Sequence, residues 1–533
     1  MFKKNLVLLL IVLITILSGC TDSAGKPDSS YDDSSDTIIF DGHEATYSDG
    51  KPCLDFKTRY TNIKNKYPDK TILIWASEQQ VRYEEEVNEY LAESGCDYVI
   101  CFKNLMYDLE INNTITDENG KWTTSYSKEF EKCFNNSDQI DIVSTEMMYI
   151  GYDGFINAYQ YFINHGWLLP IDEYLENSEA GKEFYNSAPK NYWESLRYNK
   201  HIYGFDGSTC CFRRTLGYEF NADLCKQLKI DFNDFKGSYI DTLNKIFDIC
   251  QKNDLMFSTI CMDYVPSYTE YDFLTSGVYI NNEGKAENIY ENKEIEKLYD
   301  LIADSFHKGY NTNNPGTIDS DHFLGITRQR ICGEYLSDGI KLNDFFSSIS
   351  SISEQKESYQ IFPKCFNKIF APTSATGICT SSKHPELAFN ALAKIMTDKK
   401  LNNLICYGTD YEIVDNCISP KGHYNTMDVG NRFVEMPMNG FEFSDVSDRL
   451  ETAFKNSTVS KYVDFAFDTS KVYNQVRDTE KIISEIKTDF PSEKYTTGKD
   501  YLKKLNKKLY DAGMQDILDE ANRQLAEFHK SHS

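Results

Sequence analysis

The amino-acid sequence predicts an α/β protein built around parallel β-sheets. Between residues 70 and 164, short apolar runs typical of buried strands alternate with segments of helical periodicity. Strands separated by helices of this length form βαβ units, and ligands of such sheets bind beyond the carboxyl ends of the strands. At 533 residues, the chain has room for two large domains or about three of ordinary size.

The first 20 residues carry an export signal that precedes the folded part. The chain starts Met-Phe-Lys-Lys, continues into an apolar run, and reaches Leu-Ser-Gly-Cys at Cys20. The run is too short to span a bilayer, which takes about 20 residues. Because the segment resembles a bacterial lipoprotein signal, we expect residues 1–19 to be removed as a signal peptide and Cys20 to be lipidated, for example by palmitate. An ordinary signal, or an anchor helix with a chance cysteine, is the alternative.

A flexible tether follows the cysteine. Residues 21–36 are mostly Asp, Ser, Gly and Pro without an apolar period, a composition that does not form a packed core. We therefore expect residues 20–55 to consist of the lipidated cysteine and its tether.

The composition of the chain indicates which class of partner it does not bind and in which state its cysteines are expected. The formal net charge of −26 argues against nucleic acid as a partner, since its phosphates require a basic surface. Beyond Cys20, the remaining 14 of the 15 cysteines show no CxxC pair and no evident disulfide framework. We expect buried free thiols that act as small apolar side chains, and we hypothesise an anaerobic host.

The first region supplies two groups of polar residues after predicted strands. The predicted strands are 71–75, 97–102 and 140–143, and the predicted helices are 83–92, 124–133 and 155–164. The residues that follow the first and third strands are candidates for ligand contact: Ser77, Glu78, Gln79, Glu146, Met147 and Tyr149.

A second region begins near residue 216. Its predicted elements are a helix at 239–250, a strand at 258–262, a hairpin around the turn 281–284, and helices at 294–308, 385–396 and 499–528. Gly309 marks the end of one helix, and Pro385 lies in the first turn of another.

Enzyme motifs are absent from the sequence. There is no GxSxG elbow, HExxH pair, Walker loop or Rossmann fingerprint, and the nine histidines are scattered. We therefore predict no catalytic residues, no cofactor and no metal site. A surface hydrolase, such as a glycosidase with a chance pair of carboxylates, stays open as an alternative.

Aromatic side chains give a stronger signal. They make up 14% of the chain, and six tyrosines fall at predicted strand ends or loops: Tyr149, Tyr152, Tyr203, Tyr264, Tyr268 and Tyr335. Flat rings can cover the C–H faces of a sugar, while carboxylates and amides bind its hydroxyls. Packing in the core or on the surface is the alternative for each single tyrosine.

Five short motifs in a fixed order resemble the extracellular solute-binding lipoproteins of ABC importers, in particular those for carbohydrates. They are Gly-Trp-Leu-Leu-Pro-Ile-Asp-Glu-Tyr-Leu at 166–175, Asn-Lys-His-Ile-Tyr-Gly at 199–204, Gly-Tyr-Glu-Phe-Asn-Ala-Asp-Leu at 217–224, Ser-Lys-His-Pro-Glu-Leu-Ala at 382–388 and Tyr-Gly-Thr-Asp-Tyr-Glu at 407–412. Asn199 stands for the usual glycine, and Phe205 with Asp206 for the usual x-Pro. The segment 434–441 and the helical tail resemble a larger, oligosaccharide-type subgroup.

The resemblance implies a two-lobed, periplasmic-binding-protein-like α/β fold with the ligand cleft between the lobes and multiple crossover strands. It assigns residues 56–215 and 370–424 to the N-terminal lobe, and residues 216–369 and 425–533 to the C-terminal lobe. The implied ligand-binding residues are Glu78, Gln79, Glu146, Tyr149, Asp206, Asp263, Tyr264, Tyr335 and Phe441. Tyr335 and Phe441 stand where the family often has Trp, which leaves the size of the ligand open.

The implied function is that of a non-enzymatic receptor, anchored by lipid on the extracellular face of a Gram-positive cell membrane. We expect a monomer that captures a sugar, above all an oligosaccharide, and hands it to the permease subunits of an ABC importer. The alternatives are a receptor for peptides or another polar solute, a surface lipoprotein glycoside hydrolase, and an adhesion or scaffold protein.

Replacing Cys20 tests the anchor separately from the receptor. The Cys20→Ser variant should appear in the culture medium rather than in the membrane fraction, because the lipid would be missing, and its ligand affinity should stay unchanged. Immunoblots of cell fractions and titration of the purified variant measure the two effects. A variant that stays with the membrane would contradict the lipid anchor.

Overall fold

The computed structural model describes the two main sheets and most of the helices that cover them. The described residues are 45–46, 52–77, 83–104, 133–134, 140–145, 158–207, 215–231, 235, 238–259, 271–275, 277–312, 330–337, 347–350, 357–361, 368–369, 372, 374–421, 430–437, 446–455, 457–484 and 497–531. Among them, no helix combines the length and the hydropathy of a membrane span. The predicted signal, Cys20 and most of the tether lie outside this part of the chain.

The strands are short and come from all parts of the described chain. They are β1 (Ala45–Thr46), β2 (Pro52–Cys53), β3 (Thr71–Ser77), β4 (Tyr98–Asn104), β5 (Ile142–Ser144), β6 (Arg197–Tyr198), β7 (His201–Ile202), β8 (Gly204–Phe205), β9 (Thr215–Asn221), β10 (Met256–Ser258), β11 (Asp272–Thr275), β12 (Val278–Ile280), β13 (Ala286–Asn288), β14 (Asn311–Thr312), β15 (Arg330–Ser337), β16 (Ser347–Ser350), β17 (Glu357–Ile361), β18 (Lys368–Ile369), β19 (Thr376–Ile378), β20 (Tyr411–Val414), β21 (Cys417–Pro420) and β22 (Thr458–Val459).

The helices lie between and after these strands. They are α1 (Phe56–Lys66), α2 (Glu84–Glu93), α3 (Ala158–Asn164), α4 (Asp172–Asn177), α5 (Glu179–Asn186), α6 (Lys190–Ser195), α7 (Ala222–Leu228), α8 (Tyr239–Asn253), α9 (Lys293–His307), α10 (Pro385–Thr397), α11 (Lys399–Tyr407), α12 (Val446–Lys455), α13 (Tyr473–Ser484), α14 (Gly498–Asp511) and α15 (Met514–Ser531), with a 3₁₀ turn at Ile289–Glu291.

The first sheet has the strand order β4-β3-β5-β19-β8. Strand β3 runs parallel to β4 and β5, whereas β19 is antiparallel to β5 and β8. The apolar run predicted at 71–75 lies in β3, where Trp75 and the following Ala76, on opposite faces of the strand, are both fully buried. A central parallel strand is covered on both faces, which explains its lack of hydrophobic alternation.

The second sheet has the order β14-β10-β15-β9-β17-β16. Strand β10 is parallel to both β14 and β15, and β9 is antiparallel to both β15 and β17. Beside it, β11, β12 and β13 form an antiparallel meander, which includes the hairpin predicted around residues 281–284.

Two elements have other bounds in the structure than the sequence predicts. The strand predicted at 258–262 lies earlier, in β10, which ends at Ser258. The single tail helix predicted at 499–528 is two helices, α14 and α15, because Gly513 takes a φ of 101° between them. Of the helix predicted at 124–133, only its last residue lies in the described chain.

Two large hydrophobic cores accompany the two main sheets. The first gathers side chains from β3 to β5, α5, α6, α10 and α11, and the second gathers side chains from α8, α9 and α13 to α15 around β9 to β13. Phe433 and Phe454 pack in the first core, and the Phe454 ring lies 5.2 Å from that of Tyr192. The chain joins the second core at Tyr462, and the predicted assignment of residues 425–533 to the C-terminal lobe stays a prediction.

The cysteines whose side chains are described are free and mostly buried. Eight free cysteines lie in the described part: Cys96, Cys101, Cys133, Cys225, Cys250, Cys379, Cys406 and Cys417. Burial raises the pKa of Cys225 to about 12, and burial with the nearby Asp141 charge raises the pKa of Cys379 well above its ordinary value. A thiol that stays protonated is a weak nucleophile, so these side chains serve as small apolar groups in the cores.

Side chains of α1 and α2 close the open edge of β4. Asn88 donates from Nδ2 to Ile100 O and accepts from Ile100 N, both at 2.7 Å. Two residues further, Phe102 N donates to Glu84 Oε2 at 2.6 Å, and Arg59 Nη1 donates to Phe102 O at 2.7 Å. These side chains take the place of a neighbouring strand and prevent edge-to-edge pairing with another chain.

The Asn88→Ala variant should lower the free energy of unfolding by about 2–3 kcal/mol, because both buried backbone groups of Ile100 lose their partner. Glu89 lies on the same helix and makes a surface ion pair with Lys66 at 2.8 Å. Its replacement by Ala should therefore cost less than about 0.5 kcal/mol. Urea unfolding of the two variants measures the difference, and equal losses would contradict the role of Asn88.

Candidate ligand-binding site

The carboxyl ends of the parallel strands in the first sheet lie in one row. Ser77 of β3 pairs with Asn104 of β4, and Ser144 of β5 pairs with Thr376 of β19. Thr376 in turn pairs with Phe205 of β8. Strand β5 also pairs in parallel with β3, so that the end of β5 lies in the same row. We call this row of strand ends the first edge, a term that here means the ends of the strands and not an outer strand of the sheet.

Buried hydroxyl groups connect the strands at the first edge. Trp75 Nε1 donates to Ser144 Oγ at 3.0 Å, and Ser144 Oγ lies 2.8 Å from Thr376 Oγ1. Thr145 Oγ1 donates to Ala375 O at 2.9 Å and accepts from Ala375 N at 2.8 Å. Because these bonds join β3, β5 and β19, the strand ends are fixed relative to one another.

Asp206 follows β8 at the same edge. The Tyr192 hydroxyl accepts from Asp206 N at 2.8 Å and donates to Asp206 O at 2.5 Å. Asp206 is only 1% exposed, so its carboxylate lies below the surface of the edge. The backbone of this strand end is thus held by a residue of α6.

The second sheet has an edge of the same kind. Strand β10 ends at Ser258, which pairs with Gly333 of β15, and β15 extends further to Tyr335 and beyond. Strand β9 begins at this edge, because its Thr215 pairs with Ser337 at the end of β15. We call these strand ends the second edge.

A buried amide fixes the strand ends β10 and β14 at the second edge. Asn311 Nδ2 donates to Ser305 Oγ at 3.0 Å and to Thr259 Oγ1 at 3.3 Å. All three side chains are at most 6% exposed. Helix α9 and strand β14 therefore fix the position of Thr259, after which the chain continues.

Two crossings of the chain join the two edges. One runs from Gly207 after β8 to Thr215, and the other from Ile361 at the end of β17 to Ser374 before β19. The first has eight residue steps, and a chain spans at most about 3.6 Å per residue, so Gly207 and Thr215 lie within about 29 Å of each other. The length of the first crossing thus sets an upper limit on the separation of the two edges at this point.

The predicted ligand-binding residues fall mostly outside the described chain. Asp206 has a described side chain, and Tyr335 a described backbone at the second edge. Glu78 and Glu146 come directly after Ser77 and Thr145 of the first edge in the sequence. The residues outside the described part, which stay predictions, are Glu78, Gln79, Glu146, Tyr149, Asp263, Tyr264 and Phe441.

Sequence reasoning missed the residues that hold the edges in place. Tyr192, Ser144, Thr145, Thr376 and Asn311 bond partners up to 232 residues away in the chain. Only the placement of Ser and Thr directly at strand ends offered a signal for some of them. Tyr203, one of the six candidate tyrosines, lies between β7 and β8 and therefore before the end of β8 at the first edge. Burial raises its pKa.

The described side chains offer no evident metal centre. No group of three or more His, Cys, Asp or Glu residues within the described ranges could hold an ion. What the described edges provide is hydroxyl, amide and backbone groups fixed by buried hydrogen bonds.

Comparisons with known proteins give one family match and several structural matches. A family described as "Domain of unknown function (DUF3502)" matches residues 461–530, which include α13 to α15, and no curated protein matches the chain. The N-glycan transport solute binding protein (NgtS) from Streptococcus pneumoniae is 15% identical, with a TM-score of 0.61 over 87% of this chain and 100% of that chain. Its complex with Man1GlcNAc is 16% identical, with a TM-score of 0.51 over 86% and 100%.

The structural likeness shows the fold. This chain has the two-lobed α/β fold of transport solute-binding proteins, which confirms the fold class predicted from the sequence. Fold alone does not define a ligand, so the ligand has to be argued from the two edges.

The Thr145→Val variant should lower the free energy of unfolding by about 1–3 kcal/mol, because the buried backbone N–H and C=O of Ala375 lose the same hydroxyl. Thr242→Val is the matched control. Thr242 is fully buried, and within the described residues its hydroxyl has no hydrogen-bond partner. Its replacement should be neutral or stabilising, and unfolding curves that show the reverse order would refute this account of the first edge.

Proposed function

We propose that the protein is a lipid-anchored receptor on the extracellular face of the cell membrane of a Gram-positive bacterium. It captures a carbohydrate, above all an oligosaccharide, and delivers it unchanged to the permease of an ABC importer. The observation that carries the proposal is the pair of fixed strand-end edges joined by two crossings. Such a pair can hold a ligand from two sides without chemistry.

The first edge supports a polar, hydroxyl-rich ligand. Its own hydroxyl groups bond to neighbouring strands and are at most 3% exposed, so they set positions rather than contact the solute. The residues that come next in the sequence include Glu78, Gln79 and Glu146. Carboxylate and amide oxygens accept hydrogen bonds from sugar hydroxyls, and the candidate tyrosines supply apolar faces for the ring.

The oligosaccharide class rests on the fold as well. The NgtS protein is named for N-glycan transport, and one of its structures contains Man1GlcNAc. Because fold alone does not define a ligand, this likeness supports the oligosaccharide class only together with the polar residues that follow the strand ends.

The start of the folded part favours delivery at a membrane. Helix α1 begins beside the carboxyl end of β4, where Lys103 Nζ lies 5.3 Å from the centre of the Phe56 ring, and it runs back toward the start of β3. The tether therefore joins the folded part on the side of the first edge. A lipid on Cys20 would therefore be connected to the folded part at this side of the first sheet, through the flexible tether.

A binding screen on the purified chain without its signal peptide tests the ligand class. The probes are Man1GlcNAc, longer mannose-containing N-glycans, malto- and fructo-oligosaccharides, amino acids and short peptides. An oligosaccharide at a concentration 100-fold above its Kd should stabilise the folded state by about 2.7 kcal/mol, because it binds only that state. Calorimetric titration should give one ligand per chain, and mass spectrometry should recover the ligand intact.

Each alternative has its own signature in this screen. If peptides or amino acids stabilise the folded protein and sugars do not, the ligand is a peptide or amino acid and not a carbohydrate. Cleaved sugar at catalytic amounts of protein would point to a hydrolase. No binding together with unchanged small-angle scattering would favour an adhesion or scaffold protein.

A further inference from the structure

Two glycines from distant parts of the chain meet at the first edge. Gly207 follows Asp206 after β8, and a Cβ atom built on Gly207 would lie 2.0 Å from the carbonyl oxygen of Gly430. Neither glycine has its φ in the left-handed region, so the backbone conformation alone does not demand glycine. The requirement is space, because the two backbones touch.

Gly430 is confined from its other side as well. A Cβ atom built there would lie 2.6 Å from Cys406 Sγ, 2.8 Å from Asn402 Oδ1 and 3.0 Å from Glu435 Oε2. Cys406 and Asn402 belong to α11, which packs in the first core through its apolar face. Residue 430 is therefore wedged between α11 and the end of β8.

Buried hydrogen bonds hold the segment 430–437 in this position. The fully buried Asn431 donates from Nδ2 to Met396 O at 2.7 Å and to Ser187 Oγ at 3.1 Å. Its backbone N donates to Asn402 Oδ1 at 3.2 Å. The segment is thus tied to α10, α11 and the end of α5, and it cannot move away from Gly207 without breaking these bonds.

The contact lies at the point where the chain leaves the first edge. Gly207 is the last described residue before the first crossing, and Asp206 beside it is held by Tyr192. We propose that Gly207 and Gly430 are positioning residues of the ligand site. Their contact fixes the end of β8, and with it the predicted ligand-binding residue Asp206 beside Gly207. The expected effect of this contact on ligand affinity rests on the proposed function. Its effect on the position of the backbone does not.

An added methyl group at residue 207 must separate two backbones that are each held from behind. Tyr192 holds the end of β8, and Asn431 with α11 holds the segment 430–437. The displacement therefore falls on the end of β8 and on Asp206 beside Gly207. A ligand that contacts Asp206 therefore meets the first edge in a changed geometry.

Gly207→Ala is compared with Gly181→Ala as a matched control. A Cβ atom on Gly181, in α5, would lie 2.0 Å from Tyr174 O, which is the same steric conflict away from both crossings and from the predicted ligand-binding residues. Amide hydrogen exchange of the ligand-free proteins should be at least fivefold faster in 202–207 and 430–437 for Gly207→Ala only. With Man1GlcNAc, or the probe that the unaltered chain binds best, Kd should rise at least tenfold for Gly207→Ala and less than twofold for Gly181→Ala.

The outcomes separate the two proposals. If the unaltered chain binds no probe, the proposed function fails, and hydrogen exchange alone decides the positioning role. If hydrogen exchange in both segments is unchanged in Gly207→Ala, or rises equally in Gly181→Ala, the positioning role is overturned. If exchange is faster in Gly207→Ala but Kd is unchanged, the effect of the contact on ligand binding is overturned. If Gly207→Ala does not fold, Ser187→Ala removes one bond of Asn431 and should show the same pattern, with a two- to fivefold rise in Kd.

Discussion

The arrangement of this protein depends on one topological constraint: after β8 and again before β19, the chain passes between the two main sheets at the edges where their parallel strands end. The first crossing starts after β8 and reaches β9 at the end of β15, and the second returns from β17 to the start of β19. Because the carboxyl ends of parallel strands are where polar loops and ligands gather, the crossings tie together the two surfaces suited to a shared ligand. A chain that crossed at the opposite ends would leave them apart.

The edges keep their shape because their buried polar groups are paired. An unpaired buried polar group costs about 1–3 kcal/mol, so each hydroxyl or amide that is placed there selects one arrangement of its neighbours. At the first edge, Ser144, Thr145 and Thr376 link three strands, and at the second, Asn311 links β14 to the end of β10. The same logic closes the outer side of β4, where Asn88 stands in for a strand.

Several motifs that carry the sequence resemblance hold the backbone. Asn199 and Lys200, with φ of 48° and 70°, form the two-residue turn between β6 and β7, and Asn tolerates this left-handed conformation almost as well as the glycine it replaces. Asn221 caps α7 through a bond from Leu224 N at 3.1 Å. Ser382 Oγ donates to the fully buried Asp141 Oδ1 at 2.5 Å. These roles explain why such motifs indicate the fold more firmly than they indicate a ligand.

The sequence by itself determined the elements that depend on neighbouring residues. The apolar run of β3 and the amphipathic helices α9 and α10, with Gly309 after the first and Pro385 in the first turn of the second, follow from local periodicity and capping. Polar residues directly after strands indicated the candidate site. The tertiary structure decided which strand ends share an edge, that Tyr192 holds Asp206, and that Gly430 meets Gly207. It also kept Phe433 and Phe454 in the first core. Each of these contacts joins residues far apart in the chain, and local pattern contains no information about which distant segment will fill a given space.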